Sequence, residues 1–111
     1  MVTDYSGVYQ EFILLDRPMA ISIDDYDVYS KNPGFVFDFF DWFKGEYLRT
    51  PEDLERFVEN VARGRDPAGG ERRAVLRKHH KYVDGQSTKR VTDFLCAEAG
   101  LRHEEERKDG R

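Results

Sequence analysis

Residues 1 to 23 constrain the fold more than any other stretch. Met1-Val2-Thr3-Asp4 reads as the closing residues of a strand. Asp4 or Ser6 can then cap a helix that carries Val8, Tyr9, Phe12, Ile13 and Leu15 on one side. The helix pattern stops at Asp16-Arg17, and Pro18-Met19-Ala20-Ile21-Ser22-Ile23 is short and apolar, as a buried parallel strand is. Strand, helix and strand make a β-α-β unit, the core element of doubly wound α/β folds.

The remaining chain is read from its turn and cap signals. A tyrosine- and aspartate-rich loop runs from Asp24 to Gly34, closing on the turn Asn32-Pro33-Gly34. The aromatic run Phe35 to Phe40 is expected to be a core or edge strand. Thr50-Pro51-Glu52-Asp53 supplies an N-cap, a proline at the first helical position and first-turn acids. Leu54, Phe57, Val58 and Val61 follow at helical spacing. Asp66 to Gly70 breaks that helix, and a basic helix is expected from about Glu71 to Tyr82. After Asp84-Gly85 a last helix should start at Ser87, with Val91, Phe94, Leu95 and Leu101 inward. From Arg102 onward the chain carries four acids and four bases, and this 102–111 tail is expected to be disordered.

Composition sets the outer bounds. A chain of 111 residues is at most one domain, and 39% hydrophobic with 14% aromatic residues is enough for a core. The longest apolar run, Phe12 to Leu15, is four residues, far below the roughly 20 needed to span a bilayer, and no signal segment opens the sequence. The single Cys96 can form no internal disulfide, and there is no Cys/His cluster for zinc, so a cytoplasmic protein without a metal is expected. Charge is uneven. Residues 1 to 60 hold 13 acids against 5 bases, whereas 61 to 111 hold 9 against 13. Between Arg63 and Arg90 nine bases face three acids, so this stretch is either a solvated helix face or a docking place for an anion.

Two segments have the make-up of a binding site. In Thr3-Asp4-Tyr5-Ser6-Gly7 a strand passes into a helix, where free backbone N–H groups, a hydroxyl and a glycine suit a phosphate. Glu11, further along that helix, can accept bonds from polyol hydroxyls. The plainer alternative is that Asp4 or Ser6 only caps the helix and Glu11 is solvated. The second segment, His79 to Arg90, combines cations, a turn and a helix start at Ser87, with a surface loop as the alternative.

These same residues resemble a known family. VTDYSGVYQEFILLDRPMAI is similar to the stretch V-x-T-D-Y-S-S-x-x-x-D-F-x-x-L-x-K-P-I of the CDP-glycerol glycerophosphotransferases, the teichoic-acid polymerases and primases. DDYDVYSKNPGFVFDF resembles their D-x-x-x-Y-x-x-x-R-G-F-Y-F-D-Y, Gly45 to Leu54 their P-G-P-x-x-x-T-x-E-E-L, and HKYVDGQSTKRV their H-x-x-x-D-G-x-A-x-x-R-V. The resemblance implies that residues 1–101 are the C-terminal portion of a GT-B-type, Rossmann-like donor-binding domain with parallel strands and C-terminal helices. It implies a transferase moving glycerol phosphate, or a related polyol phosphate, from CDP-glycerol or a similar CDP-polyol to a polyol-phosphate acceptor polymer. No cofactor and no nucleic acid are expected.

By the resemblance, the substrate-binding residues would be Thr3, Asp4, Ser6, Gly7, Glu11, His80, Asp84, Gly85 and Arg90, with Gly7 in place of a serine and Glu11 in place of an aspartate. His80 would orient the loop rather than transfer a proton. No position matches the family's proposed catalytic histidine, because the acceptor-side domain has no counterpart here. A truncated chain is therefore expected, peripheral on the inner membrane face by resemblance, with the missing half or self-association covering its exposed faces. The alternative from another class is an interaction module without turnover.

Overall fold

A computed structural model of the chain describes residues 1–101. The expectation for the 102–111 tail lies outside the described residues. Met1–His80 form one compact unit, and the chain from Lys81 onward is a second.

The first unit is α/β. Strands β1 (Val2–Thr3), β2 (Ala20–Ser22) and β3 (Glu46–Leu48) form a three-stranded parallel sheet in the order β1-β2-β3. Thr3 pairs with Ile21, and Ile21 in turn with Tyr47. Helix α1 (Val8–Phe12), continued by a 3-10 turn over Ile13–Leu15, links the first two strands, as the β-α-β pattern requires. Asp16 ends it in the left-handed conformation at φ 48°. Two short helices, α2 (Tyr26–Tyr29) and α3 (Phe39–Trp42), lie between β2 and β3, and α4 (Pro51–Ala62) and α5 (Gly69–His79) follow.

Alternation along the central strand builds the two layers. Met19, Ile21 and Ile23 point to one face, where they are buried with Tyr9, Ile13, Phe39, Phe43 and Val75. Ala20 points to the other face and is buried with Leu48 and Phe57 of α4. Full burial of a residue such as Ile21 contributes ~1.5–3 kcal/mol. Gly45 lets β3 approach this strand, because a Cβ there would meet the Met19 carbonyl oxygen at 2.9 Å. Helix α4 starts as its sequence directs. Thr50 Oγ1 accepts from the Asp53 amide while the Asp53 carboxylate accepts from the Thr50 amide, a reciprocal cap worth ~1 kcal/mol.

Several expectations are corrected. The aromatic run is no strand. Asp38 caps α3 by accepting from the Phe40 amide, and the rings of Phe35, Phe39 and Phe43 pack against one another and against Tyr5, Tyr9 and Tyr26 in edge-on, tilted and stacked pairs. Ring packing between neighbours in sequence favours a helical turn over the alternation of a strand. The real third strand is Glu46–Leu48, and the loop from Asp24 contains helix α2. Neither Asp4 nor Ser6 occupies the N-cap of α1; that position is Gly7, because each side chain bonds an amide two residues on and shapes the turn ahead of the helix. Val8 and Leu15 are exposed, although Tyr9 and Ile13 are fully buried. The basic helix ends at His79, short of Tyr82.

In the second unit, helix α6 (Ser87–Glu98) has Gln86, not Ser87, at its N-cap. Val91, Phe94, Leu95 and Leu101 are not inward: each is more than half exposed. No residue of α6 is buried.

Candidate functional site

Parallel strands bring their carboxyl ends to one edge of the sheet, the edge at which open α/β folds hold ligands. In Met1–His80 that edge carries the turn after β1, the Asp24–Asp27 stretch after β2 and Arg49-Thr50 after β3. Thr3, Asp4, Ser6 and Gly7 therefore lie where the sequence reading expects them.

The turn after β1 is fixed from both sides. An Asp4 carboxylate oxygen accepts from the Ser6 amide at 2.9 Å, and Ser6 Oγ accepts from the Val8 amide at 3.4 Å. The Tyr5 hydroxyl donates to Asp25 at 2.9 Å and its ring stacks on Tyr29 with centroids 4.2 Å apart, which ties the turn to the loop after β2. Burial, reinforced by the bond to Asp25, pushes the Tyr5 phenol above its ordinary range, so it stays a neutral donor. Two donors are left at the surface. The Ser6 hydroxyl uses only its oxygen, and among the described residues no bond engages the Gly7 N–H. Gly7 is exposed, and a Cβ there would meet nothing within 4 Å, so the space beside its Cα is open. Because α1 is five residues long, these individual donors, rather than a summed helix dipole, provide the attraction for an anion.

Glu11 is exposed on α1. His80, the residue after α5, is brought against the same helix, with its Nε2 in hydrogen-bond contact with the Gln10 carbonyl. His79 Nε2 lies 2.8 Å from the Trp42 carbonyl. A carbonyl only accepts, so both Nε2 atoms carry protons and both rings hold backbone in place. The Tyr9 hydroxyl does likewise, donating to the Lys44 carbonyl and accepting from the Lys44 amide, each at 2.8 Å.

Asp84, Gly85 and Arg90 belong to the second unit and form an arrangement of their own. Arg90 donates to both carboxylate oxygens of Asp84, and Asp84 also accepts from the Gln86 amide at 3.0 Å. The Arg90 guanidinium, followed by that amide, holds the Asp84 carboxyl well below the usual carboxylate range. Gly85 takes φ 72° in this turn, and the Arg90 guanidinium sits 3.8 Å over the Tyr82 ring.

Sequence reasoning missed two features. Arg72, in the expected solvated basic face, is only 1% exposed. It donates to both oxygens of Asp66 at 2.8 and 2.7 Å and to Asp16 at 2.9 Å, while Arg73 Nε donates to the other Asp16 oxygen at 3.0 Å. These bonds depress the Asp16 carboxyl, Arg72 acting before Arg73. The second missed feature is a cavity of about 220 Å³ at the carboxyl ends of β2 and β3, lined by Ile23, Asp24, Tyr26, Asp27 and Arg49. Only the clustering of aspartates after Ile23 hinted at it in sequence.

Comparison with known proteins supports the family resemblance. A family profile described as CDP-Glycerol:Poly(glycerophosphate) glycerophosphotransferase matches residues 1–97. The teichoic acid ribitol-phosphate primase of Bacillus spizizenii is 28% identical over 97 residues, 87% of this chain and 24% of that protein. The teichoic acid poly(ribitol-phosphate) polymerase of the same organism is 26% identical over 95 residues, 86% of this chain and 15% of the relative. The teichoic acid poly(glycerol phosphate) polymerase of Bacillus subtilis is 33% identical over 63 residues, 56% of this chain and 8% of the relative. The chain thus spans no more than 24% of the length of these curated relatives. No solved structure matches it.

Proposed function

The chain belongs to the CDP-glycerol:poly(glycerophosphate) glycerophosphotransferase family, and on that premise we propose that it forms the donor-binding part of a transferase that moves glycerol phosphate, or a related polyol phosphate, from a CDP donor to a teichoic-acid or capsule polymer. The observation that carries this reading is the pair of unengaged donors, the Ser6 hydroxyl and the Gly7 N–H, side by side at the carboxyl end of β1. They suit the donor pyrophosphate. In the reaction an acceptor hydroxyl oxygen bonds to the β-phosphorus and gives up its proton to solvent, the bond from that phosphorus to the bridging oxygen breaks, and CMP leaves with the electron pair. Donors aimed at the bridging and non-bridging oxygens stabilise the charge that develops there. Glu11 is the proposed partner for polyol hydroxyls, and Asp84, Gly85 and Arg90 are proposed as donor contacts on the family resemblance alone. The setting proposed is a GT-B-type cleft, peripheral to the inner face of the plasma membrane; no helix among the described residues is long and apolar enough to cross one.

One observation favours a second reading, a module that holds the donor without turnover. His79 and His80 each commit the Nε2 proton to a backbone carbonyl and serve as anchors for the chain, which leaves only Nδ1 on either ring to accept a proton. Calorimetric titration of the chain with CDP-glycerol tests donor binding. Ser6→Ala should weaken it about tenfold or more, the value of a hydrogen bond to a charged group. Absence of binding by a folded parent chain overturns the assignment.

A further inference from the structure

The cavity beyond β2 and β3 has a chemistry that the donor turn does not use. On one side is Arg49, a guanidinium that no hydrogen bond or ion pair engages among the described residues. On the other are Asp24, which accepts from Ser22 Oγ through one oxygen at 2.8 Å and leaves its second oxygen open, and Asp27, whose carboxylate no hydrogen bond engages among the described residues. Tyr26, packed between Phe35 and Phe40, walls the space, and buried Ile23 floors it. Both walls are held in place. The Arg49 and Thr50 amides donate to Asp53, and Asp25, beside Asp24, is held by the Tyr5 hydroxyl.

A planar cation suits phosphate oxygens, and carboxylates accept from hydroxyls. At about 220 Å³ the cavity has room for several water-sized groups, and so for a small polar molecule. We propose that this cavity binds a polyol phosphate, with Arg49 on the phosphate and Asp24 and Asp27 on the hydroxyls. The choice of a polyol phosphate rests on the family reading above. It makes Arg49, Asp24 and Asp27 specificity residues, distinct from the Ser6 and Gly7 donors.

The test is titration of the chain with glycerol 3-phosphate, ribitol 5-phosphate, inorganic phosphate and CMP, for the parent, Arg49→Gln and the double variant Asp24→Asn with Asp27→Asn. All three positions are exposed, so the variants should fold, as their amide spectra check. Arg49→Gln should weaken both polyol phosphates about tenfold or more. The aspartate variant should weaken them but not inorganic phosphate, and CMP binding should be unchanged in both. Polyol phosphates that do not bind, or that bind all three chains alike, overturn the assignment even if CMP binds. Polyol-phosphate binding through Arg49 without any CMP or CDP-glycerol binding sustains the cavity and removes the donor site. Competition between glycerol 3-phosphate and CDP-glycerol identifies the ligand as the donor's own polyol phosphate; simultaneous binding identifies the acceptor's end.

Discussion

In Met1–His80 the sheet side chains Met19, Ile21 and Ile23 are buried against aromatic rings from three helices, and Arg72 is sealed between Asp66, six residues away, and Asp16, 56 residues away. In the stretch from Lys81 to Leu101 no side chain is buried, and the contacts are local: Asp84 with Arg90, Arg90 with Tyr82. The difference teaches where the site can be rigid. A turn clamped by Tyr5, Asp25 and the sheet can hold two donors at fixed spacing, whereas a turn held by one ion pair depends on charge. Local openings should therefore differ between the two regions, with β2 and α5 amides exchanging slowly and α6 amides fast.

The largest test of the contrast is Arg72→Ala. It unties Asp66 and Asp16 from α5 and cuts a long buried side chain to a methyl group, which should cost ~2–5 kcal/mol, read as a lower denaturation midpoint for Met1–His80. Arg72→Met should cost less, because the longer apolar chain refills the space and removes an Nε that already lacks a partner. Equal losses from both variants would mean that the ion pairs rather than packing hold the α5 junction. Tyr9→Phe is next. It removes one hydroxyl that satisfies both the amide and the carbonyl of Lys44, for an expected loss of ~1–3 kcal/mol with the ring still packed. An unchanged midpoint would show that water replaces the hydroxyl.

The smallest effect belongs to the second region and is a pH effect. The folded Asp84 carboxyl lies below its ordinary value of 3.8 because Arg90 and the Gln86 amide bond its charged form. Its contribution is thus fully present above that value and is lost as pH falls through the depressed folded one. Amide shifts from Asp84 to Arg90 should move together in strong acid, while those of β2 stay put. In Arg90→Gln the Asp84 titration should return toward the ordinary value; a curve like the parent's would show that the amide, not the guanidinium, depresses it.

What was legible in the sequence follows the same division between local and distant causes. Helix α4 could be read because Thr50, Pro51 and Asp53 act on one another within a single turn. The β1-α1-β2 unit was legible from short apolar segments around a turn, and with it the place of Thr3, Asp4, Ser6 and Gly7. Strand β3 was not, since Glu46-Tyr47-Leu48 has no pattern of its own and becomes a strand by pairing with Ala20-Ile21-Ser22. Arg72 looked like its basic neighbours until Asp16, 56 residues away, was brought beside it. The inward face expected for α6 failed for the complementary reason: its apolar spacing is real, but the described residues show no burial there.

The central claim is that the turn after β1 holds the phosphates of a CDP donor, and residue-resolved amide spectra during titration with CDP-glycerol test it most directly. The expected result is saturable shifts at Ser6, Gly7 and Val8, reduced in Ser6→Ala, with β2 unmoved. A folded spectrum in which these three amides stay fixed at saturating donor would contradict it.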